Sequence, residues 1–325
     1  MNENFTPPGP LNTAVLFLVF NRPDTTSRVF EAIRQAKPPR LYVAADGARV
    51  GRIGEAELVA QVREIATAVD WPCEVKTLFR DQNLGCKYAV SGAITWFFDH
   101  EEWGIILEDD CLPHHDFFGF CQDLLKRYEV DDRISAITGN NFQNEKKHGN
   151  ASYYFSKYVH IWGWATWRRV WRHYQVDLEF WPDWRASVDW ADKNKDKVER
   201  QYWEKMFDRT YAGRIDTWDY QWTACVWKIG GLTATPKVNL VSNIGFGKDA
   251  THTTSTKSDH SELPTKALGN ITHPECVKID FGADRWIFDF RYDGRKRRFP
   301  GFLIFFPRRV AVSACRKLLR FLGRS

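Results

Sequence analysis

The sequence of 325 residues lacks several features that would assign a protein to a class at once. No apolar run approaches the about 20 residues that a membrane-spanning helix needs, and no apolar leader follows Met1. The seven cysteines are scattered without a Cys-x-x-Cys pair, and no internal repeat is present. These absences argue against a spanning protein and a disulfide-stapled or zinc-ribbon domain, and they predict a protein of the reducing cytoplasm.

The net positive charge of the chain is confined to one segment. The formal net charge is +5, but the segment from Arg291 to the C-terminus has eleven Lys or Arg residues against one acid, Asp293. The rest of the chain is therefore acidic, which argues against nucleic acid as a partner. In residues 302–325 an apolar run precedes an amphipathic pattern with a basic face. This predicts a basic C-terminal helix in peripheral contact with the inner face of a membrane, or alternatively a helix packed on the body.

Strand and helix patterns alternate through the first third of the chain. The predicted strands are 14–20, 40–45, 73–79 and 104–107, and the predicted helices are 24–36, 55–68 and 86–98. This alternation predicts an α/β fold with a mostly parallel central sheet, whose functional residues gather at the carboxyl ends of the strands. After about Ile137 the alternation is lost, and only one further helix, around 189–207, is clearly indicated.

An acidic triplet, Glu108, Asp109 and Asp110, directly follows the fourth predicted strand. Adjacent carboxylates repel one another and are costly to bury, so a hard divalent cation, Mn²⁺ or Mg²⁺, is their natural neutraliser. A cation held by one or two carboxylates commonly binds phosphate groups as well. The triplet therefore predicts a site for a nucleotide diphosphate, and the alternative is a solvated acidic loop.

Two more polar residues follow predicted strands. Arg22 comes after the first strand and Asp46 ends the second. A carboxylate such as Asp46 can accept the imide N–H of uracil, which favours a UDP-linked ligand. Each residue also has an ordinary interpretation, because Asp46-Gly47 is a common turn signal and Arg22 could lie at the surface. Their occurrence at the ends of neighbouring strands favours the nucleotide site.

Seven segments in this order resemble the GT-A glycosyltransferases. They are AVLFLVFNRP, VAADG, RDQNLGCKYA, LEDDCLPHHDFF, IWGWATW, TWDYQW and SNIGFGKDATHT. In particular, residues 15–253 are similar to the N-acetylglucosaminyltransferases that initiate N-glycan branching and to their bacterial, haemolytic-protein-like relatives. We therefore expect a Rossmann-like GT-A fold. In it, residues 1–136 would be the nucleotide-sugar-binding half, 137–285 the acceptor-side half of the same catalytic domain, and 286–325 a basic amphipathic tail.

The resemblance also implies roles for individual residues. Asp110 would coordinate the metal, Asp109 would contact the ribose or a metal-bound water, and Glu108 would face the donor sugar. Arg22 and Asp46 would hold the nucleotide. The family has a nucleotide-contacting histidine that has no clear counterpart in residues 85–88 of this chain, which leaves the base less certain.

Asp219, within the TWDYQW segment, matches the general base of the family. An inverting transfer needs one carboxylate that takes the acceptor proton while the sugar leaves its diphosphate. The alternative is a buried carboxylate that accepts the indole N–H groups of Trp218 and Trp222. The second consecutive acid of the family's motif is Tyr220 here, so acceptor recognition is expected to differ.

The segment 242–252 has glycines beside groups that could contact phosphate. It predicts a lid with Lys248 near the nucleotide sugar and His252 near phosphate or metal, or alternatively a plain glycine-rich loop. Trp164 matches an acceptor-side motif of the family and is predicted to contact the nucleotide sugar, with core packing as the alternative. The spacing of Trp167 and Trp171 predicts two core residues on one helical face.

Together these observations predict a metal-dependent inverting glycosyltransferase. It would move a sugar from a nucleotide-diphosphate donor, a UDP-sugar, to a glycan or glycolipid acceptor in cell-surface polysaccharide synthesis. One alternative is a sugar-nucleotide nucleotidyltransferase, which would need a glycine-rich phosphate loop after the first strand, where residues 20–24 do not supply one. The other is a non-enzymatic membrane-active or carbohydrate-binding protein, which has no need of the acidic triplet.

Overall fold

The computed structural model describes residues 10–144, 146, 148–245, 263–301 and 304. The strands of this part are β1 (Val15–Val19), β2 (Arg40–Ala45), β3 (Glu74–Phe79), β4 (Trp103–Glu108), β5 (Cys111–Pro113), β6 (Ile134–Thr138), β7 (Tyr153–Ser156), β8 (Trp164–Trp167), β9 (Leu232–Pro236) and β10 (Val241–Asn243). The helices are α1 (Pro23–Ala36), α2 (Glu55–Thr67), α3 (Gly85–His100), α4 (Asp116–Arg127), α5 (Arg168–Trp171), α6 (Trp181–Ala186), α7 (Val188–Lys193), α8 (Lys197–Tyr211), α9 (Asp219–Lys228), α10 (Phe281–Arg291) and α11 (Gly294–Arg297).

One eight-stranded sheet organises the molecule, in the order β3-β2-β1-β4-β8-β6-β9-β7. The pairs β3·β2, β2·β1, β1·β4 and β6·β9 are parallel, whereas β8 runs antiparallel to both of its neighbours and β7 runs antiparallel to β9. The predicted α/β class with a mostly parallel central sheet is therefore confirmed. Strands from residues 1–136 and from residues 137–285 share this sheet.

Continuous apolar runs form the centre of the sheet because both of its faces are covered. All five residues of β1 are buried, and β2 begins and ends at the predicted residues. Helix α1 has Pro23 at its first turn, where a missing N–H costs nothing, and it buries Val29, Phe30 and Ile33. It ends at Lys37, which has a left-handed backbone conformation (φ 49°).

The tryptophans of residues 164–171 are buried, as predicted for Trp167 and Trp171, but they do not share a helix. Trp164 and Trp167 are the two ends of β8, and Trp171 ends the short helix α5. The helical interpretation was wrong for residues 164–167, because this segment pairs through one edge with β4 and through the other with β6. The helix predicted around 189–207 is likewise two helices, because Asp196 caps α8 by accepting the N–H groups of Val198 and Glu199.

Within the described residues, no helix is both long enough and apolar enough to cross a membrane. Apart from Ile304, residues 302–325 lie outside the described part of the chain. The predicted membrane contact of this tail therefore stays a prediction.

A buried carboxylate joins α10 to the sheet. Asp284 accepts hydrogen bonds from Ser156 Oγ at 2.6 Å and from the backbone N–H of Lys157 at 3.3 Å. Burial raises the pKa of Asp284 to about 7, against the opposing effects of the Ser156 hydrogen bond and the Lys157 charge. The folded protein therefore retains a proton on this carboxyl at a pH where the unfolded chain has lost it.

This proton makes the stability of the protein depend on pH. Between about pH 4 and about pH 7 the free energy of unfolding of the wild type should fall as the pH rises, by at most about 1.4 kcal/mol per unit from this group. Asp284→Asn has no such titrating group, so its stability relative to that of the wild type should increase as the pH rises through that window. Urea unfolding at about pH 5 and about pH 8 measures the difference, with the exposed Asp192→Asn as a control. A difference independent of pH would contradict the assignment.

Candidate active site

The carboxyl ends of β1, β2, β4 and β6 lie at one edge of the sheet, because these strands run in the same direction. Ligands of α/β proteins commonly bind at such an edge. It brings together Arg22 from the loop after β1, Asp46 from the end of β2, and the acidic triplet from the end of β4. The first residue of α9, Asp219, supplies a further acid.

Arg22 bridges two members of the triplet. Its Nη2 lies 2.6 Å from Asp109 Oδ1 and its Nη1 lies 3.0 Å from Asp110 Oδ2. Asp109 also accepts the backbone N–H of Phe20 at 3.3 Å, and its side chain is only 4% exposed. Although burial disfavours the charge of Arg22, the two aspartates raise its pKa, so the guanidinium stays ionised. The fork fixes the end of β4 against the loop after β1.

Among the three acids of the triplet, Glu108 has the environment that most disfavours a negative charge. Burial, followed by the charges of Asp110 and Asp109, raises the pKa of Glu108 to about 8, and Arg22 offsets only part of this. The charge of Asp219 contributes to the same increase, so Asp219 lies within electrostatic range of Glu108. A single guanidinium thus faces several carboxylates. The excess of negative charge is what a bound cation would relieve.

The backbone of residues 244–245 closes over Asp110. Strand β10 pairs antiparallel with β5, and the N–H of Ile244 donates to the carbonyl of Asp110 at 2.8 Å. A Cβ atom on Gly245 would overlap Asp110 Oδ2 and Arg22 Nη1, so the close approach requires glycine at this position. The predicted ligands Lys248 and His252 follow, but both lie outside the described residues.

Asp46 has a structural role that the sequence did not predict. Its carboxylate accepts the backbone N–H groups of Gly47, Leu84 and Gly85 at 3.0 to 3.1 Å. These bonds hold the start of α3 against the end of β2. Much of its hydrogen-bonding capacity is therefore already used, and a uracil imide would have to bind at a remaining lone pair.

Asp219 is the first residue of α9 and is half-buried. Its Oδ1 accepts a hydrogen bond from the Thr217 hydroxyl. The indole N–H of Trp222 is buried without a partner among the described residues, so it does not cap this carboxylate as the structural alternative required. One hydroxyl orients Asp219, which leaves its second oxygen available to an acceptor.

Trp164 does not present a ring face to a ligand. Its side chain is fully buried, with its ring centroid 5.7 Å from that of Trp218 and 5.4 Å from that of Trp222. This agrees with the packing alternative, and the predicted contact with the nucleotide sugar is corrected accordingly. The physical reason is that β8 is an interior strand, so its alternating side chains fill the core on both faces.

Sequence reasoning missed Cys86 as a neighbour of the site. Burial raises the pKa of this thiol, and the charges of Glu108, Asp219, Asp216 and Asp46 raise it further. The start of α3 therefore lies among the carboxylates of the edge. The available signal was positional, because Cys86 begins the helix predicted after the third strand of the βα series.

A second cluster of possible metal ligands lies at the start of α4. Among the described residues, His114, His115 and Asp116 are the three His, Cys, Asp or Glu side chains whose ligand atoms converge within 4.8 Å. Burial lowers the pKa of His114, which favours the neutral form that binds metals. Two imidazoles and a carboxylate suit Zn²⁺ better than Mg²⁺. The acidic triplet does not converge in this way, so Asp110 would hold a cation with few protein ligands and depend on the ligand's phosphates for the rest.

Comparison with known proteins gives only distant similarities. No protein-family model and no curated protein matches the chain. Among solved structures, HddC from Yersinia pseudotuberculosis is 10% identical, with a TM-score of 0.31 over 52% of this chain and 85% of its own. UDP-glucose pyrophosphorylase complexed with UDP-glucose is 9% identical, with a TM-score of 0.30 over 50% of this chain and 78% of its own. The glycosyltransferase GlyE of Streptococcus pneumoniae TIGR4 is 9% identical, with a TM-score of 0.28 over 68% of this chain and 54% of its own. Likenesses this weak do not establish an activity.

Proposed function

We propose that this chain is a metal-dependent inverting glycosyltransferase that uses a nucleotide-diphosphate sugar, most simply a UDP-sugar, and a glycan or glycolipid acceptor. The observation that carries the proposal is the acidic end of β4, paired with Arg22 and within electrostatic range of Asp219. The proposed donor site and the proposed base would thereby lie at one edge of the sheet. A solvated acidic loop does not account for this, because Asp109 is buried and the pKa of Glu108 is strongly raised.

The residues at the end of β4 fit a divalent cation, Mn²⁺ or Mg²⁺. Oxygen ligands are what these ions prefer, and the local excess of carboxylates is unfavourable without one. Arg22 pairs with both aspartates, but Asp110 would hold the ion, because its side chain is 14% exposed whereas that of Asp109 is 4% exposed and also accepts the N–H of Phe20. When bound, the ion would supply positive charge to the departing diphosphate.

The chain's own residues would carry the proton transfer. Asp219, oriented by Thr217, takes the proton of the acceptor hydroxyl while the oxygen of that hydroxyl bonds to the anomeric carbon of the donor sugar. The bond from that carbon to the diphosphate oxygen breaks, and its electron pair leaves with the nucleotide diphosphate. Glu108 faces the donor sugar, and Arg22 keeps Asp109 and Asp110 in position.

Calorimetric titration with UDP, GDP and CMP, each with and without Mn²⁺, tests the proposal directly. We expect binding of UDP that requires Mn²⁺ and is lost on chelation, and weaker binding of the other two nucleotides. Nucleotide binding that is indifferent to the metal would refute the metal-dependent site. Release of inorganic pyrophosphate from a nucleoside triphosphate and a sugar phosphate would instead identify a nucleotidyltransferase.

A further inference from the structure

A cationic side chain at the end of α10 is held between aromatic rings. The guanidinium carbon of Arg291 lies 4.9 Å from the ring centroid of Phe142 and 5.3 Å from that of Trp162. Both distances are within the range of cation–π attraction, which restrains the guanidinium group. The planar guanidinium group of Arg291 is therefore restrained in position, and the residue is half-buried.

The aromatic residues place this guanidinium at the functional edge of the sheet. Phe142 follows the carboxyl end of β6, and Trp162 precedes β8. Strand β8 runs antiparallel to β4, so its start, which follows Trp162, lies at the carboxyl end of β4. The N–H of Trp162 donates to Asn140 Oδ1 at 3.1 Å, which ties the two loops together. Arg291 thus lies on the β6 side of the acidic triplet, away from the strands that carry Arg22 and Asp46.

Two tyrosines connect Arg291 to the candidate base. Burial raises the pKa of Tyr292, with Arg291 acting against the increase and Asp219 adding to it. Burial likewise raises the pKa of Tyr220, and the same two charges act on it with the same opposite signs. The carboxylate and the guanidinium therefore share a pair of neighbours.

Arg291 lacks an anionic partner in the described part of the chain, where no carboxylate lies within 4.0 Å of it. Among the other half-buried basic residues of this region, Arg297 donates to the carbonyl of Tyr292 at 3.3 Å, and two have carboxylate partners. Arg298 pairs with Asp196 and Asp289, and Lys296 pairs with Asp293 at 2.7 Å. A half-buried cation normally has a counter-charge, because its desolvation is otherwise uncompensated. The absence of one beside a candidate active site indicates that the partner is a ligand.

We propose that Arg291 is the anion-binding residue of the acceptor subsite, and that the acceptor carries a phosphate or carboxylate group near the hydroxyl that is glycosylated. This inference rests on the proposed function, because it takes Asp219 as the base that contacts the same acceptor. A guanidinium binds either anion through two parallel hydrogen bonds. The subsite would select anionic sugars or sugar phosphates over neutral glycans of the same shape.

The test is calorimetric binding of glucose 6-phosphate, glucuronate and glucose to the full-length protein, with and without saturating UDP and Mn²⁺. The wild type should bind at least one of the two anions more tightly than glucose. Arg291→Gln should lower the affinity for that anion by about tenfold or more and leave the affinity for glucose unchanged. Arg291→Lys should retain part of the preference for the anion. Arg295→Gln is the matched control, because its guanidinium lies 4.1 Å from the Phe290 ring centroid and is exposed.

Equal affinity of the wild type and Arg291→Gln for the anions would overturn the proposal. So would failure of the wild type to prefer either anion over glucose at concentrations up to about 10 mM. Weaker binding of UDP with Mn²⁺ in Arg291→Gln, without a change for the anions, would assign Arg291 to the donor diphosphate and also overturn it. If UDP does not bind at all, the proposed function fails, whereas the titrations without UDP still decide the anion subsite.

Discussion

Asp110→Asn is expected to abolish the Mn²⁺-dependent binding of UDP while the protein stays folded. The substitution keeps the shape of the side chain but removes the charge that would hold the cation. Arg22 would remain paired with Asp109 at 2.6 Å, so the loop after β1 should keep its position. We expect the affinity for UDP in the presence of Mn²⁺ to fall by roughly 10²-fold or more, measured by calorimetry.

Two controls make the loss of binding interpretable. Asp192→Asn removes one negative charge from an exposed position and should bind UDP as the wild type does. Thermal unfolding of Asp110→Asn should show a cooperative transition, since neighbouring repulsion is reduced rather than increased. UDP affinity that is undiminished in a folded Asp110→Asn protein, with or without chelator, would remove the metal site from this edge of the sheet.

Asp219→Asn is expected to separate binding from transfer. Asparagine can still accept the hydrogen bond of Thr217 but cannot take a proton from an acceptor hydroxyl. The affinity for UDP with Mn²⁺ should persist, while sugar transfer, followed as UDP release in the presence of acceptor, should fall by roughly 10²-fold or more. The matched control is Asp216→Asn, which removes an exposed carboxylate that also acts on Cys86. Near-normal transfer by Asp219→Asn would make this carboxylate structural.

The parts of the fold that follow local patterns could be predicted from the sequence. Strand β2 has the predicted bounds, and β1 and β4 differ from the prediction by one residue at each end, because each is an apolar run ended by a polar residue or proline. The segment 164–171 could not be predicted in this way. Its tryptophans satisfy helical spacing and not strand alternation, and the strand forms because of the edges that β4 and β6 offer.

The candidate site was predictable as a set of strand ends but not as a set of contacts. The βα alternation indicates that Arg22 and the triplet share an edge, whereas the fork from Arg22 to Asp109 and Asp110 joins residues 87 and 88 positions apart. The role of Asp46 depends on the conformation of residues 84–85, which no pattern specifies. Arg291 was counted as part of a basic tail because nothing in the sequence connects it to Phe142 and Trp162.

The antiparallel strand β8 has a consequence for how the chain can be divided. It pairs with β4 on one side and with β6 on the other, so it closes the hydrogen-bonding edge of the strand that carries the acidic triplet. A fragment that ended at residue 136 would leave β4 as an open edge with the apolar Ile105 and Ile106 beside unpaired backbone groups, which is a template for aggregation. During synthesis, residues 10–136 must therefore wait for residues 164–167 to emerge before their part of the sheet is complete. The chain on either side of residue 136 forms one folding unit.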